Sequence, residues 1–167
     1  PLCPYGASKH TVEHYLYLYR TTYNLDYTIL RYANVYGPRQ DPYGEAGVVA
    51  IFANLMLDGR AVTINGSGEQ VRDFVYVADC ARANALALHR GTGEAFNIGV
   101  GRGTTINEIY REMRRITGCS QEAIYGPAKA GETFKIFLDA SKAGRGLEWQ
   151  PTVRLEEGLE RTVAFFR

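Results

Sequence analysis

The chain has 167 residues, enough for one substantial hydrophobic core, so we expect one domain or part of a larger one. Its composition, 46% hydrophobic and 22% charged, is ordinary for a globular protein. The formal net charge of +1 leaves no basic excess for binding nucleic acid. The sequence contains no apolar run of about 18 residues and no recognisable signal peptide. We therefore expect a cytoplasmic protein without nucleic-acid or membrane partners.

Helices are predicted to alternate with short apolar strands along the chain. Apolar and aromatic residues recur at spacings of three and four over residues 5–22, which predicts a helix that stops at Asn24. The run YTILRY, residues 27–32, predicts a buried strand closed by the turn residues Gly37 and Pro38. The further predicted elements are a helix at 48–58 ended by Gly59, strands at 61–65 and 72–77, a helix at 80–90 capped by Asp79, a strand at 96–99, a helix at 106–117 with a capping box of Thr105 and Glu108, and helices at 141–146 and 155–166.

This order of elements predicts an α/β fold with a parallel sheet. The two strands expected to be fully buried are residues 27–32 and 96–98. Because a two-stranded parallel sheet is not a domain, we expect the rest of the sheet upstream. The chain also begins Pro-Leu-Cys-Pro without an initiator Met. We therefore interpret the sequence as the C-terminal part of a longer protein.

Tyr5 and Lys9 are four residues apart at the head of the first predicted helix, so their side chains share one face. A phenol has a pKa of about 10, and a neighbouring ammonium group favours its ionised form. Such a tyrosinate can remove a proton from a hydroxyl group. With 12 tyrosines and four lysines in the chain, the spacing also arises readily by chance. The alternative is an exposed lysine above a packed tyrosine.

Two other patterns imitate functional motifs. Gly99, Gly101 and Gly103 lie between a strand and a helix, but the dinucleotide pattern requires Gly where Thr104 stands, so a tight turn is the better interpretation. His10 and His14 have the spacing of metal ligands on one helix face. They lack the His-Glu-x-x-His arrangement and an evident third ligand, so we predict no metal site.

Five segments together resemble a known family, in order and at the family's separations: PYGASKHTVEHYL, ILRYANVYGPRQDP, INGSGEQVRDFVYVADCARA, FNIGVGRGTTINE and LDASKAGRGLEWQPTVRLEEGLERT. The chain resembles the extended short-chain dehydrogenase/reductase family over essentially its whole length. The nearest branch is that of the NAD-dependent nucleotide-sugar epimerases, of the UDP-glucose 4-epimerase kind. The resemblance implies the C-terminal portion of a Rossmann-type parallel sheet plus a small mixed α/β lobe that binds the nucleotide sugar.

The resemblance implies roles for the first helix and the strand after it. Tyr5 would be the catalytic acid/base, and Lys9 would hold the nicotinamide ribose hydroxyls and tune the tyrosine. Tyr32 would lie by the nicotinamide, although core packing at a strand end also explains it. NAD would be the cofactor, with its main binding half, including the Gly-rich turn, outside this chain.

Seven residues would bind the substrate by the same resemblance. Arg72 would contact the diphosphate with a permanently charged fork. On its own, an Arg-Asp pair on a strand is more often a surface ion pair. Asn65 stands where the family often has an aromatic residue, and Lys129 and Glu132 stand where many members have Arg and Asp. The complete predicted set is Asn34, Val48, Thr63, Asn65, Arg72, Lys129 and Glu132.

The implied organisation divides the chain into two parts. Residues 1–47 and 76–100 would complete the NAD-binding Rossmann domain, and residues 48–75 and 101–167 would form the nucleotide-sugar-binding lobe. The implied activity of the parent protein is UDP-sugar 4-epimerisation by transient oxidation at C4, with this chain inactive alone and the parent a homodimer. A 4,6-dehydratase or decarboxylase of the same family, and a non-catalytic half-protein or dimerisation module, remain alternatives.

Overall fold

A computed structural model describes residues 3–43, 47–129 and 131–167 of the chain. The described residues form helices α1 Pro4–Tyr23, α2 Val48–Leu57, α3 Val77–Ala87, α4 Ile106–Thr117, α5 Ser141–Gly146 and α6 Leu155–Phe166. The strands are β1 Ile29–Tyr32, β2 Asn34–Tyr36, β3 Thr63–Asn65, β4 Val71–Arg72, β5 Phe74–Tyr76, β6 Ala95–Ile98, β7 Thr104–Thr105 and β8 Ile124–Gly126. No helix in these ranges has the length and apolar character needed to cross a membrane.

The strands pair over long separations in sequence. β1 pairs with β6, β2 with β5 and β3 with β8, all in parallel, whereas β4 and β7 are antiparallel. The chain returns to each parallel partner through at least one helix, as parallel pairing requires. The prediction of an α/β fold with parallel strands is therefore confirmed.

The expectation that residues 27–32 form a fully buried strand is wrong. The strand begins at Ile29, and its residues Arg31 and Tyr32 are exposed. The reason is that β1 pairs with β6 along one edge, while no strand of the described part of the chain pairs with its other edge. β6 is better covered, with Phe96 and Ile98 buried.

Two hydrophobic clusters hold the helices and strands together. The larger one includes Phe52 of α2, Met113 of α4 and Leu159 of α6. The second joins α3 and β6 to α5 and the fully buried Trp149. The division of the chain at residues 47, 75 and 100 remains a prediction, and α5, beyond residue 100, packs with β6.

The segment RDFVYV is not one strand. It is interrupted at Asp73 between β4 and β5, and its last residue, Val77, already begins α3. Consequently α3 runs from 77 to 87, not from 80 to 90, and the prediction that Asp79 caps it is wrong. The N-cap position is Tyr76, and Asp79 lies within the first turn.

Asp79 instead anchors a distant segment. Its buried carboxylate accepts hydrogen bonds from the backbone N–H groups of Thr152 and Val153 at 3.0 and 3.1 Å. The Thr152 hydroxyl and the Arg82 guanidinium also donate to it, at 2.7 and 3.0 Å. This carboxylate therefore connects α3 to the loop before α6.

The capping box predicted for α4 is confirmed. The Thr105 hydroxyl accepts from the Glu108 backbone N–H at 3.0 Å, and the Glu108 carboxylate accepts from the Thr105 N–H at 2.6 Å. The hydrogen bond from the Thr105 backbone lowers the pKa of Glu108. The helix ends at Gly118, which adopts the left-handed conformation with φ of 73°.

Helix α1 differs from the other helices because none of its described residues is buried. Its links to the rest of the chain include ion pairs of Glu13 with Arg31 and of Arg20 with Asp26. The Arg31 bond lowers the pKa of Glu13. Many of its aromatic side chains, such as Tyr15 and Tyr17, are exposed. The helix that carries Tyr5 and Lys9 thus presents most of its surface to solvent.

Candidate active site

The seven residues predicted to bind substrate line one cavity of about 250 Å³, here called the β3–β4 cavity. They come from five separate regions of the sequence. Parallel pairing places β2 beside β5 and β3 beside β8, which brings several of these regions together. Its apolar wall includes Ile51, Phe52, Phe74 and Ile106. The lining is Asn34, Val48, Thr63, Asn65, Arg72, Lys129 and Glu132 among others.

Arg72 is the most enclosed charge in this cavity, with its side chain 12% exposed. Its Nη1 donates to the carbonyl oxygens of Val71 at 2.9 Å and Phe134 at 3.3 Å. Its Nη2 forms an ion pair with Glu132 Oε1 at 2.7 Å. A guanidinium held in this way presents fixed N–H donors, which suit phosphate oxygens.

The first turn of α2 adds positive potential to the same cavity. Gly47, at the N-cap, and Val48 both line it, and no side chain of the described residues caps the helix. The first N–H groups of a helix have no partner within the helix, and they favour negative charge. Together with Lys129 and Arg72, this end of the cavity can hold an anionic group.

Asp73 is a site-supporting residue that sequence reasoning missed. It is buried, and its carboxylate accepts from the backbone N–H groups of Val100 at 2.9 Å, Gly101 at 3.0 Å and Leu138 at 3.2 Å. The signal in the sequence was an acidic residue inside an apolar strand, next to Arg72. Asp73 therefore holds the turn after β6 and the segment at Leu138 next to the strand that carries Arg72.

Close packing explains two glycines of the turn after β6. A Cβ atom on Gly99 would lie 2.5 Å from Asp73 Oδ2, and one on Gly103 would lie 2.4 Å from Val71 Cγ1. Both distances are too short for a side chain to fit. The geometry therefore accounts for these glycines by close packing, in agreement with the predicted tight turn.

Tyr5 and Lys9 lie outside the β3–β4 cavity, near the N-terminus of α1. Lys9 Nζ is 5.3 Å from the centroid of the Tyr5 ring. Tyr5 is 69% exposed, and Lys9 forms no ion pair with the described part of the chain. The helix start is fixed by Cys3, whose Sγ accepts from the Gly6 N–H at 3.4 Å. The structure thus brings the phenol and the ammonium together on one open surface.

Tyr32 lies in a separate depression beside β1. It lines this depression with residues such as Leu30 and Asn84. Burial raises the pKa of Tyr32, and a hydrogen bond with Asn84 acts in the opposite direction. The structure does not bring Tyr32 into the β3–β4 cavity, and its predicted contact with nicotinamide remains a prediction.

His10 and His14 contact each other edge to face, with ring centroids 4.7 Å apart. Within residues 3–43, 47–129 and 131–167, no three His, Cys, Asp or Glu side chains form a group that could hold a metal ion. The two histidines therefore have no further ligand beside them in the described structure.

Comparison with known proteins identifies relatives of the same kind. The family model described as the NAD dependent epimerase/dehydratase family matches residues 1–99. A putative UDP-glucose 4-epimerase of Methanocaldococcus jannaschii is 47% identical over 167 residues, which is 100% of this chain and 54% of the relative. The chain thus spans about half the length of this curated relative.

Two solved structures have closely similar folds. The UDP-glucose 4-epimerase of Thermotoga maritima, crystallised with UDP-glucose, is 55% identical with a TM-score of 0.96, over 98% of this chain and 53% of that one. The UDP-glucose 4-epimerase of Thermus thermophilus, in complex with NAD, is 43% identical with a TM-score of 0.93, over 99% of this chain and 54% of that one. The resemblance drawn from the sequence motifs is confirmed.

Proposed function

The chain belongs to the NAD dependent epimerase/dehydratase family, and we propose that the whole protein is a UDP-sugar 4-epimerase of the UDP-glucose/UDP-galactose type. The observation that carries this proposal is the β3–β4 cavity, where the seven substrate-binding positions meet. In this proposal residues 48–75 and 101–167 bind the nucleotide sugar. Residues 1–47 and 76–100 complete a Rossmann domain whose Gly-rich half is supplied from outside this chain.

The chemistry of the Tyr5 and Lys9 surface fits a nicotinamide nucleotide. An ammonium group has three donors, and a ribose offers neighbouring hydroxyl oxygens to receive them. The exposure of Tyr5 and the unpaired state of Lys9 within the described residues leave both groups accessible. NAD, when bound, supplies reversible oxidation and reduction at the sugar carbon. Lys9 would hold its ribose, and Tyr32 is proposed to lie by the nicotinamide.

Tyr5 performs the acid/base work in this proposal. Its phenolate oxygen accepts the proton of the sugar 4-hydroxyl while C4 is oxidised to a ketone. It returns the proton after the 4-keto sugar has rotated to present its other face. Lys9 lies on the next turn of α1, with its Nζ 5.3 Å from the centroid of the Tyr5 ring. In this proposal the two residues act as one unit.

The β3–β4 cavity holds the nucleotide part of the substrate. Arg72 and Lys129, with the first turn of α2, bind the diphosphate. Thr63 and Asn65 border the base and ribose, and Glu132 accepts from ribose hydroxyls. Asn34, the first residue of β2, binds the diphosphate from the Rossmann side. In this proposal the nucleotide stays bound in the cavity while the 4-keto sugar rotates.

A dehydratase or decarboxylase of the same family is the alternative reaction. The segment RYANVYGPRQDP favours an epimerase, since dehydratases tend to diverge there. The UDP-glucose 4-epimerases reported above are 43–55% identical to the chain, whereas the dTDP-glucose 4,6-dehydratases among its relatives are 31–33% identical. A non-catalytic half-protein or dimerisation module is the third candidate, and the exposed aromatic residues of α1 favour a homodimer formed through this helix.

The product formed from UDP-galactose tests the proposal. The whole protein, supplied with NAD, is expected to interconvert UDP-galactose and UDP-glucose, followed by chromatography of the nucleotide sugars. A 4-keto-6-deoxy sugar as the sole product, or conversion of UDP-glucuronate to a pentose with loss of CO2 by a protein that does not epimerise UDP-galactose, would refute the epimerase assignment. The 167-residue chain alone is expected to be inactive because it lacks the Gly-rich half. Conversion by the isolated chain would refute that part.

A further inference from the structure

One side chain in the β3–β4 cavity has half of its amide group unused. Gln70 is 8% exposed and lines the cavity. Its Nε2 donates to the carbonyl oxygen of Asn65 at 2.6 Å. Its Oε1 is buried and has no hydrogen-bond partner among the described residues. Because buried polar atoms are almost always paired in native proteins, we expect this oxygen to have a partner outside the described residues.

The unused atom is an acceptor, not a donor. Exchanging the oxygen and nitrogen of the Gln70 amide would place Oε1 against the carbonyl oxygen of Asn65, and two acceptors cannot bond to each other. The short bond from Nε2 therefore determines the orientation of the amide. The partner that Oε1 requires must carry an N–H or O–H group.

The position of Gln70 limits which part of a ligand can supply that group. Its amide lies beside Asn65 at the end of β3, and its Nε2 would be 3.7 Å from a Cβ atom on the adjacent Gly66. Arg72 and Lys129 provide the cationic groups of the same cavity. The diphosphate that suits those cations is an acceptor and has no donor for Oε1. Donors are carried by the hexose hydroxyls, the ribose hydroxyls and, in uracil, a ring imide N–H. The nucleoside is the part proposed to border Asn65, to which the Gln70 amide is bonded.

We propose that Gln70 Oε1 accepts a hydrogen bond from the nucleoside part of the bound nucleotide, which makes Gln70 a further specificity-determining residue. The inference rests on the proposed function, because it takes a uridine nucleotide as the ligand of the cavity. The same side chain also holds the end of β3 through Asn65. Gln70 thus joins the strand that borders the nucleoside to the nucleoside itself.

Binding of UDP analogues to the whole protein tests this contact. UDP, 2′-deoxy-UDP, 3′-deoxy-UDP and N3-methyl-UDP each retain the diphosphate, and the last three each lack one donor. By calorimetry, we expect one of the three to bind the wild type about tenfold more weakly than UDP. In Gln70→Met, which has no acceptor oxygen, UDP and that analogue are expected to bind with dissociation constants within about twofold of each other.

Two further variants keep the test decisive. Gln70→Asn withdraws the amide by one methylene group, so it is expected to lose the same preference even if Gln70→Met fails to fold. Gln121→Met changes an exposed glutamine outside the cavity and should keep the wild-type preference. Because each comparison is a ratio within one protein, a general weakening of binding does not alter the result.

The outcomes separate the two proposals. If the analogues show the same ratios in the wild type, Gln70→Met and Gln70→Asn, the contact is overturned, and a bound water or a purely structural role accounts for Oε1. If the whole protein binds neither UDP nor any analogue, the proposed function is refuted, and the inference is refuted with it. Loss of one preference in both variants, with the control unchanged, supports the contact.

Discussion

Glu132 Oε1 lies 2.7 Å from Arg72 Nη2 inside the β3–β4 cavity. The Arg72 side chain is 12% exposed and that of Glu132 is 32% exposed, so the pair is partly shielded from water. Attraction between such charges is stronger than at an open surface. In the proposed function the diphosphate has to share Arg72 with this carboxylate.

Replacing the carboxylate should therefore help a bare anion to bind. In Glu132→Gln, Arg72 is no longer neutralised by its partner, and inorganic pyrophosphate is expected to bind about three- to tenfold more tightly. UDP should gain less than pyrophosphate, because Glu132 is also proposed to accept from the ribose. Titration calorimetry of both ligands measures the difference.

Glu157→Gln is the matched control, since it removes a carboxylate from the exposed ion pair with Arg161. Neither Glu157 nor Arg161 lines the cavity. The control should leave pyrophosphate binding unchanged. Weaker pyrophosphate binding by Glu132→Gln than by the control would contradict the idea that Glu132 competes for Arg72.

The shape of the Arg72 side chain should matter as well as its charge. Arg72→Lys keeps one positive charge but removes the planar fork that reaches Val71, Phe134 and Glu132. Hydrogen bonds to charged groups contribute about 1.5–3 kcal/mol. We expect UDP to bind at least about tenfold more weakly, with KM for the UDP-sugar rising more than kcat falls.

Arg161→Lys serves as the control for this substitution because Arg161 pairs with Glu157 on an exposed helix face. Its UDP affinity should equal that of the wild type. If Arg72→Lys bound UDP as tightly as Arg161→Lys, the assignment of Arg72 to the diphosphate would be wrong.

Asp79 is expected to govern stability and not substrate binding. In Asp79→Asn one acceptor oxygen becomes an amide donor that faces the N–H groups of Thr152 and Val153. Breaking a buried charged network of this kind costs about 3 kcal/mol or more. Urea unfolding should show that loss. Asp26→Asn alters a carboxylate in an exposed ion pair, so it should change stability by less than about 1 kcal/mol.

The Asp79 carboxylate is also expected to make the stability of the fold depend on pH. Burial acts to raise the pKa of Asp79, but hydrogen bonds from Thr152, Val153 and Arg82 outweigh it and leave the pKa below its ordinary value. The resulting stabilisation is present above the unfolded pKa of about 3.9 and is lost as the pH falls through the folded pKa. The difference in the free energy of unfolding between the wild type and Asp79→Asn should therefore become smaller below about pH 4. A constant difference between neutral pH and about pH 3 would contradict this role.

Local patterns in the sequence predicted the elements that depend on local chemistry. The capping box of Thr105 and Glu108 could be predicted because its partners lie within one helical turn. The start of α2 at Val48 could be predicted from the apolar run that begins there. The seven cavity residues were reached in another way, through a family resemblance spread over several motifs. Their meeting in one cavity depends on parallel strand pairing, which spacing alone does not reveal.

What sequence reasoning missed depends on contacts between distant segments. Asp73 bonds to Val100 and Leu138, and Asp79 bonds to Thr152, which is 73 residues away. An acidic residue before an Ala-rich stretch is a common helix cap, so the pattern at Asp79 predicted one. Because β5 leads directly into α3, the helix begins at Val77. The Asp79 carboxylate therefore lies within the first turn and bonds to a distant segment instead of capping the helix.

The central claim is that Tyr5 exchanges the proton of the sugar 4-hydroxyl. The most direct measurement is the steady-state conversion of UDP-galactose to UDP-glucose by the whole protein carrying Tyr5→Phe, compared with Tyr17→Phe. Tyr17 is exposed on the same helix, so its variant controls for loss of a phenol from α1. We predict that Tyr5→Phe lowers kcat at least about 100-fold with little change in KM, and that Tyr17→Phe retains wild-type activity. A kcat for Tyr5→Phe within about threefold of the wild type would contradict the account.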